Sequence, residues 1–211
     1  GVLGVGLVQS SIGTSGTLLT PIDRAWVDRR MRLHTFCHCA PDSWYLMGVI
    51  LSAGSSLRWL CNVLLPSDFD KAYETLIFEA ERVDPGSDGL FFQPYLAGER
   101  TPHNDSAARG VFLGLHLGHT RAHLVRAVME GVCFAMRDSL GLMQKLVGSF
   151  SEVRAVGGGS RGHLWRQLQA DVYGSPVVTM GPSSGPAYGA AAMAAVGVGH
   201  FTSVAEAVEN W

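Results

Sequence analysis

The sequence predicts an α/β domain, and three observations carry that expectation. Residues 153–156 are a short β-branched run that meets Gly157-Gly158-Gly159, after which Leu164, Trp165, Leu168 and Val172 recur at helical spacing. That reads as strand, tight turn and helix. Residues 120–147 hold a longer helical pattern, capped by Thr120, with Leu124, Val128, Val132, Ala135 and Leu142 inward. Strand patterns come early and alternate with helices later, the order of one α/β domain spanning residues 1–211.

Composition narrows the class. The chain has 211 residues, 47% of them hydrophobic and 16% charged, which supplies a substantial core and excludes a disordered tail. A formal net charge of −2, with no Lys or Arg block, favours neither a nucleic-acid nor an anionic-membrane partner. No stretch has the length of a transmembrane helix. The apolar start lacks the cationic flank and cleavage site of a signal peptide. The first residues read as the middle of an element and residues 203–211 stop inside a helical pattern, so both ends read as cut from a longer protein. Of the cysteines, Cys37 and Cys39 share one face of a strand, and no Cys or His pair sits at zinc-like spacing from them. With Cys61 and Cys133 they are expected to be buried free thiols in a reducing cytosol, and no metal site is expected.

In chain order, residues 1–8 read as a buried strand or helix end. Ser11-Ile-Gly13-Thr14-Ser15-Gly16 is a polar turn and residues 17–20 the strand leaving it, a hairpin whose amides and hydroxyls suit phosphate oxygens. Residues 21–33, with Asp23, Arg24, Asp28, Arg29 and Arg30, read as a charged surface loop. Residues 35–39 and 44–50 form a strand pair around Pro41-Asp42. Residues 52–65 form an amphipathic helix that opens with Ala53-Gly54-Ser55-Ser56 and turns Leu57, Leu60, Cys61 and Leu64 inward. A second helix spans about 68–83, with Ser67 or Asp68 as N-cap. Residues 90–93 are a short strand. Residues 94–105 are irregular and rich in polar groups, as functional loops often are. There Glu99 and Arg100 are candidates for catalysis, although mutual pairing that anchors the loop is the favoured reading. Residues 109–115 are a strand or turn. On the long helix Met129, Met136 and Met143 repeat every seven residues as core filler. Residues 176–179 read as a buried strand. Pro186 suits the first turn of an Ala- and Gly-rich helix over 187–195, small enough for something to pack close against it.

The chemistry of these turns is that of a nucleotide seat. Three adjacent glycines lack Cβ atoms, so a flat ligand can approach the backbone, and the following helix exposes its first amides.

The chain resembles the C-terminal domain of the FGGY carbohydrate kinases. The resemblance rests on Gly98-Glu-Arg-Thr-Pro102, Arg109-Gly-Val-Phe-Leu-Gly-Leu115 and His123-Leu-x-x-Ala127-Val-Met-Glu130. Gly13-Thr14-Ser15-Gly16, Ala53-Gly54, Gly157-Gly158-Gly159 and Gly185-Pro-Ala-Tyr-Gly-Ala-Ala191 fall in the family's order. His34-Thr-Phe-Cys-His38, Pro41 and Trp44-Tyr-Leu-Met47 look most like its xylulokinase branch. This implies the ribonuclease-H-like, actin-like ATPase fold, in the C-terminal half of a cytoplasmic kinase that closes over ATP and a sugar. It implies that Gly13, Thr14 and Ser15 hold phosphates, that Gly54 and Arg58 lie beside the nucleotide, and that Gly158, Gly159 and His163 surround the adenine. The implied reaction is Mg²⁺-assisted transfer of the γ-phosphoryl group to a ketopentose, most like D-xylulose, with domain closure excluding water. The general-base Asp of the family falls just upstream of Gly1 and the sugar-binding domain precedes it, so no residue of this chain is assigned to catalysis. The chain alone is expected to have no kinase turnover. Ribulose, gluconate and glycerol are substrates of other members, and a homodimer fits the family.

Two rival readings differ in class. A Rossmann oxidoreductase would need a full G-x-G-x-x-G with a later acidic partner, which neither Gly4-x-Gly6 nor the triple glycine supplies. A non-catalytic actin-like ATPase lobe would share the hairpin and the glycine turn but gives the Gly-Glu-Arg-Thr-Pro loop no purpose.

Overall fold

The computed structural model describes residues 2–66, 69–181 and 185–210. Strands β1 (Leu7–Ile12), β2 (Gly16–Ile22), β3 (His34–Cys37) and β4 (Trp44–Ile50) come first, followed by helices α1 (Gly54–Leu64) and α2 (Phe69–Ala80). A ribbon of β5 (Phe91–Gln93) and β6 (Val111–Leu113) leads into the long α3 (Arg121–Val147). Then come β7 (Glu152–Val156), α4 (His163–Tyr173), β8 (Val177–Thr179), α5 (Pro186–Gly197) and α6 (Val204–Asn210).

Six strands form one sheet in the order β3-β4-β2-β1-β7-β8. β1, β2, β4 and β3 pair antiparallel, whereas β7 lies parallel to β1 and β8 parallel to β7. The tight hairpin permits the antiparallel pairs. The long connection through α3 and the crossover through α4 allow the two parallel ones. Strict alternation buries Val8, Ser10 and Ile12 of β1 and leaves Leu7, Gln9 and Ser11 half-buried on the opposite face.

Helix α3 packs across β2 and β4 and is flanked by α1, α2 and α4. Met129, Met136 and Met143 are wholly buried along it. Two strand glycines make room for it: a Cβ on Gly16 would lie 3.1 Å from Met136 Sδ, and one on Gly48 3.0 Å from Ser139 Cβ. On the helix itself Gly131 meets the Phe92 carbonyl of β5. The capping box at Thr120 uses His123 where Glu or Gln is usual, and the Thr120 N–H donates to His123 Nδ1 at 3.2 Å.

Several expectations change. β1 begins at Leu7, and the described residues before it are irregular. β2 continues through Pro21 and Ile22, both buried, so the surface loop starts later. Within that loop Asp28 is buried, ion-paired to Arg32 Nε at 3.0 Å. Burial pushes its carboxyl up, but the Arg32 side chain and the amides of Arg32, Arg30 and Leu33 outweigh this and hold it near 2. Leu64, Leu124 and Leu142 face inward as expected, half-buried and packed against the core, whereas β8 is a half-exposed edge strand. Cys61 and Cys133 are buried free thiols, but Cys37 and Cys39 are exposed, because both lie at or beyond the end of an edge strand. Along α5 only Ala192 and Ala195 are buried, and α6 packs against the helix, while a Cβ on Gly189 would meet nothing within 4 Å, so close packing is confined to one side of it. The expected caps Ser67 and Asp68, loop residues Pro182, Ser183 and Ser184, and the terminal Gly1 and Trp211 lie outside the described residues. No helix among the described residues is long and apolar enough to cross a membrane.

The α3–β5 contact yields a paired test. A Cβ on Gly131 would sit 2.0 Å from the Phe92 carbonyl oxygen, whereas on Gly141 its nearest neighbour is the Arg137 Nη1 at 3.5 Å. Gly131→Ala is expected to lower the urea unfolding free energy by about 3 kcal/mol, and Gly141→Ala to raise it by about 0.5–1 kcal/mol. Equal effects of the two would contradict this packing.

Candidate functional site

Backbone contacts between remote segments build the site. The β1–β2 hairpin turns through Gly13, Thr14 and Ser15, closed by Gly13 N–H donating to the Ser15 carbonyl at 2.9 Å. The start of α1 then lies directly on it. Gly54 N–H donates to the Gly13 carbonyl at 2.9 Å, and the Ala53 and Ser55 amides both donate to the Thr14 carbonyl at 3.1 Å. A Cβ on Gly54 would stand 2.4 Å from the Gly13 oxygen, so only glycine allows this approach. The third segment is the turn after β7. There Gly157 has φ +77°, and a Cβ on Gly159 would lie 2.5 Å from Ile12 Cβ. Ile12 and Gly13 thus touch both other segments.

Around this junction opens a cleft of about 790 Å³. Gly13, Thr14, Gly54, Arg58, Gly158 and Gly159 line it. Ser15 and His163 are not among its lining residues. Ser15 contributes its carbonyl to closing the hairpin, and His163 is an exposed first residue of α4. In place of His163 the cleft takes Arg161 and Gly162 from the turn and Leu164 and Trp165 from α4. The far wall is α2, through Tyr73, Glu74 and Ile77, and the Trp165 indole N–H donates to the Tyr73 hydroxyl at 3.3 Å across the cleft's end. Sequence reading missed this wall. Tyr73, Glu74 and Ile77 follow ordinary helical spacing, and nothing in that pattern marks a ligand. The result is a cleft lined by the bare backbone of the two glycine turns, by apolar Ile77, Leu164 and Trp165, and by the charged Arg58, Arg161 and Glu74. Such a surface suits an anionic, flat-ended ligand.

The polar loop after β5 lies behind this junction. Glu99 is buried, with 2% exposure, and does not pair with the Arg100 side chain as expected. Its Oε1 accepts the backbone N–H of Leu51 at 3.1 Å and of Arg100 at 2.7 Å, while Oε2 has no hydrogen-bond partner. Burial pushes the carboxyl up to about 7, against the amides of Arg100 and Leu51, which pull it down. Burial, with the nearby carboxylates of Asp138 and Glu99, pushes Tyr95 up to about 12. Asp105 is exposed and accepts the Ala107 amide at 2.7 Å, which gives it no catalytic geometry.

Among the described residues one group has metal-ligand convergence: Asp88, His116 and His119, with ligand atoms within 4.8 Å of one another. Their hydrogen bonds oppose that use. Gly118 N–H donates to His116 Nδ1 and His116 N–H to His119 Nδ1, both at 3.1 Å. The ring protons therefore sit on Nε2, where a metal would have to bind. These Nε2 atoms face Asp88 instead, its Oδ2 and its carbonyl oxygen, both at 3.2 Å. The cluster is a loop staple.

Residues 8–198 match the family described as the FGGY family of carbohydrate kinases, C-terminal domain. The chain is similar to a xylulose kinase of Bacillus subtilis, 39% identical over 211 residues, which cover all of this chain and 42% of that protein. It is also similar to a gluconokinase of Bacillus subtilis, 37% identical over 182 residues, 82% of this chain and 35% of that one. The crystal structure of xylulose kinase from Rhodospirillum rubrum superposes with a TM-score of 0.85 at 31% identity, covering 98% of this chain and 41% of that one. The chain therefore spans less than half the length of these relatives.

The buried carboxyl predicts a pH dependence of stability. Glu99 ionises near its ordinary 4.5 when unfolded but near 7 when folded, so the folded state holds the extra proton between those values. Its contribution is complete below about 4.5 and is lost as pH rises from there through 7, about 3 kcal/mol in all. Urea titrations from pH 5 to 8 are expected to show this decline in the wild type and not in Glu99→Gln. Parallel profiles would contradict the assignment.

Proposed function

Since the chain belongs to the FGGY family of carbohydrate kinases and matches its C-terminal domain, we propose that it is the nucleotide-binding half of an ATP-dependent sugar kinase. The observation that carries the proposal is the meeting of the hairpin, the α1 start and the triple-glycine turn on one cleft. In this reading Gly13 and Thr14 face the phosphates and Arg58 balances their charge. Gly158 and Gly159 offer a floor free of side chains to the base, with Ile77, Leu164 and Trp165 as its apolar wall. Ser15 and His163 play at most an indirect part, since neither lines the cleft. Mg²⁺ bound with the nucleotide would neutralise phosphate charge during transfer. Glu74 is the one carboxylate among the described lining residues able to reach toward it or its waters.

The reaction we infer for the parent enzyme is in-line transfer of the γ-phosphoryl group to a ketopentose, D-xylulose giving D-xylulose 5-phosphate. The resemblance of the whole chain to xylulose kinases supports that substrate. The general base is inferred to lie outside this chain, which covers 42% of the length of the Bacillus subtilis xylulose kinase. The present chain contributes nucleotide grip, charge and one wall against water, and is expected to have no turnover alone. The reading places the enzyme in the cytoplasm, where Cys61 and Cys133 stay reduced, and it fits a homodimer. The 37%-identical gluconokinase supports a second reading, another FGGY substrate on the same nucleotide half.

A sugar panel on the full-length parent decides between them. ADP formation is expected only when sugar is present, and faster with D-xylulose than with gluconate, ribulose or glycerol by a factor of about ten or more. A preference for gluconate would move the enzyme within the family. ADP release independent of sugar would overturn the kinase reading in favour of an ATPase lobe.

A further inference from the structure

The Gly98-Glu99-Arg100-Thr101 segment has a task that the nucleotide reading leaves unexplained. Edge strand β3 covers β4 only from Trp44 to Met47. Beyond that point the polar loop takes over. Thr101 N–H donates to the Val49 carbonyl at 3.1 Å, and the Thr101 hydroxyl accepts the Val49 N–H at 3.1 Å while donating to the Arg32 carbonyl at 2.5 Å. Two residues on, just past the end of β4, Glu99 Oε1 takes the Leu51 N–H. Two side chains thus replace a missing strand at the end of the sheet.

That end is where the nucleotide corner begins. Leu51 is followed by Ser52, Ala53 and Gly54, whose amides at 53, 54 and 55 are tied to the carbonyls of Thr14 and Gly13. The loop itself is stiff. Glu99 and Asp105 exchange both backbone hydrogen bonds at 2.8 Å, and Gly98, at φ +76°, has no room for a Cβ, which would lie 2.8 Å from the Ser106 carbonyl oxygen. A rigid loop, a buried carboxyl and a continuous series of backbone bonds connect residue 99 to the hairpin.

We propose that Glu99 is a positioning residue for the nucleotide cleft, holding the β4–α1 corner on which the Gly13-Thr14-Ser15 hairpin rests without touching the nucleotide itself. The proposal rests on the nucleotide reading for its functional consequence, but its mechanical content does not. A carboxyl that only seals a sheet edge would affect Leu51 and Arg100 and leave residues 53–55 alone. A positioning carboxyl loosens the corner when it is removed.

The experiment measures amide hydrogen exchange and ATP affinity on the same chain near pH 6, where Gln is isosteric with the neutral acid. In Glu99→Ala, exchange at Ala53, Gly54 and Ser55 is expected to accelerate about tenfold while amides in the middle of α4 keep their protection. ATP affinity is expected to fall by about fivefold or more, and Glu99→Gln to restore both to about the wild-type values. Faster exchange at Leu51 and Arg100 alone with unchanged ATP affinity would overturn the proposal. So would uniform loosening of the whole chain, or failure of Gln to rescue. If Glu99→Ala does not fold, Glu99→Asp gives the same comparison with the carboxyl drawn back by one methylene. Absence of ATP binding in the wild type would refute the nucleotide reading, and the exchange pattern would then decide the positioning claim by itself.

Discussion

The hydrogen bond from Gly54 N–H to the Gly13 carbonyl is the contact on which the architecture depends. It brings the first turn of a helix against the tip of a hairpin at a distance that only a residue without a Cβ tolerates. Everything around the cleft follows from it. The hairpin must be short enough for β1 to continue into parallel pairing with β7, so that the glycine turn after β7 arrives at the same place. Helix α3 must lie flat on β2 and β4 to support that sheet, which the strand glycines Gly16 and Gly48 permit. Close packing and ligand access come from the same device, the removal of side chains where two backbones meet.

Much of this was legible in the sequence. Periodicity located the hairpin, the long helix with its three methionines, and the strand–turn–helix at residues 153–173. The resemblance to the FGGY kinases implied an actin-like ATPase fold, which is the fold of the FGGY kinases that the structure resembles. Six of the eight expected binding residues share one cleft. The remainder was illegible for physical reasons. Spacing cannot say on which side of a three-residue turn a serine falls, so Ser15 was grouped with its neighbours. His163 was carried by resemblance alone, and the register of α4 turns it to solvent. Glu99 and Arg100 are adjacent and oppositely charged, which suggests a pair. Yet adjacent residues in an extended loop point apart, and Glu99 finds amides 48 positions away at Leu51 instead. The α2 wall left no mark, because Tyr73, Glu74 and Ile77 would look the same on any amphipathic helix.

The polar groups divide into two kinds. Some are satisfied within the fold: Asp28 with Arg32, the Asp88–His116–His119 staple, and the buried Arg126–Glu130 pair at 2.6 Å on α3. These fix loops and helix ends. Others meet the cleft with charge or bare backbone, notably Arg58, Arg161 and the glycines of the two turns. Glu99 stands between them: its Oε1 takes the Leu51 and Arg100 amides, its buried Oε2 has no hydrogen-bond partner, and Leu51 leads into the corner at residues 53–55. It sits where a change in packing is most readily felt by a ligand.

The central claim is that separate glycine corners form one nucleotide seat. Its most direct test is a titration of the isotopically labelled chain with ATP, followed through its backbone amide resonances. The account predicts that Gly13, Thr14, Gly54, Gly158 and Gly159 shift together along one binding curve, with Trp165 at the apolar wall, while β3 and the β5–β6 ribbon stay still. Shifts confined to one of the two glycine turns, or centred on the Asp88–His116–His119 staple, would contradict it.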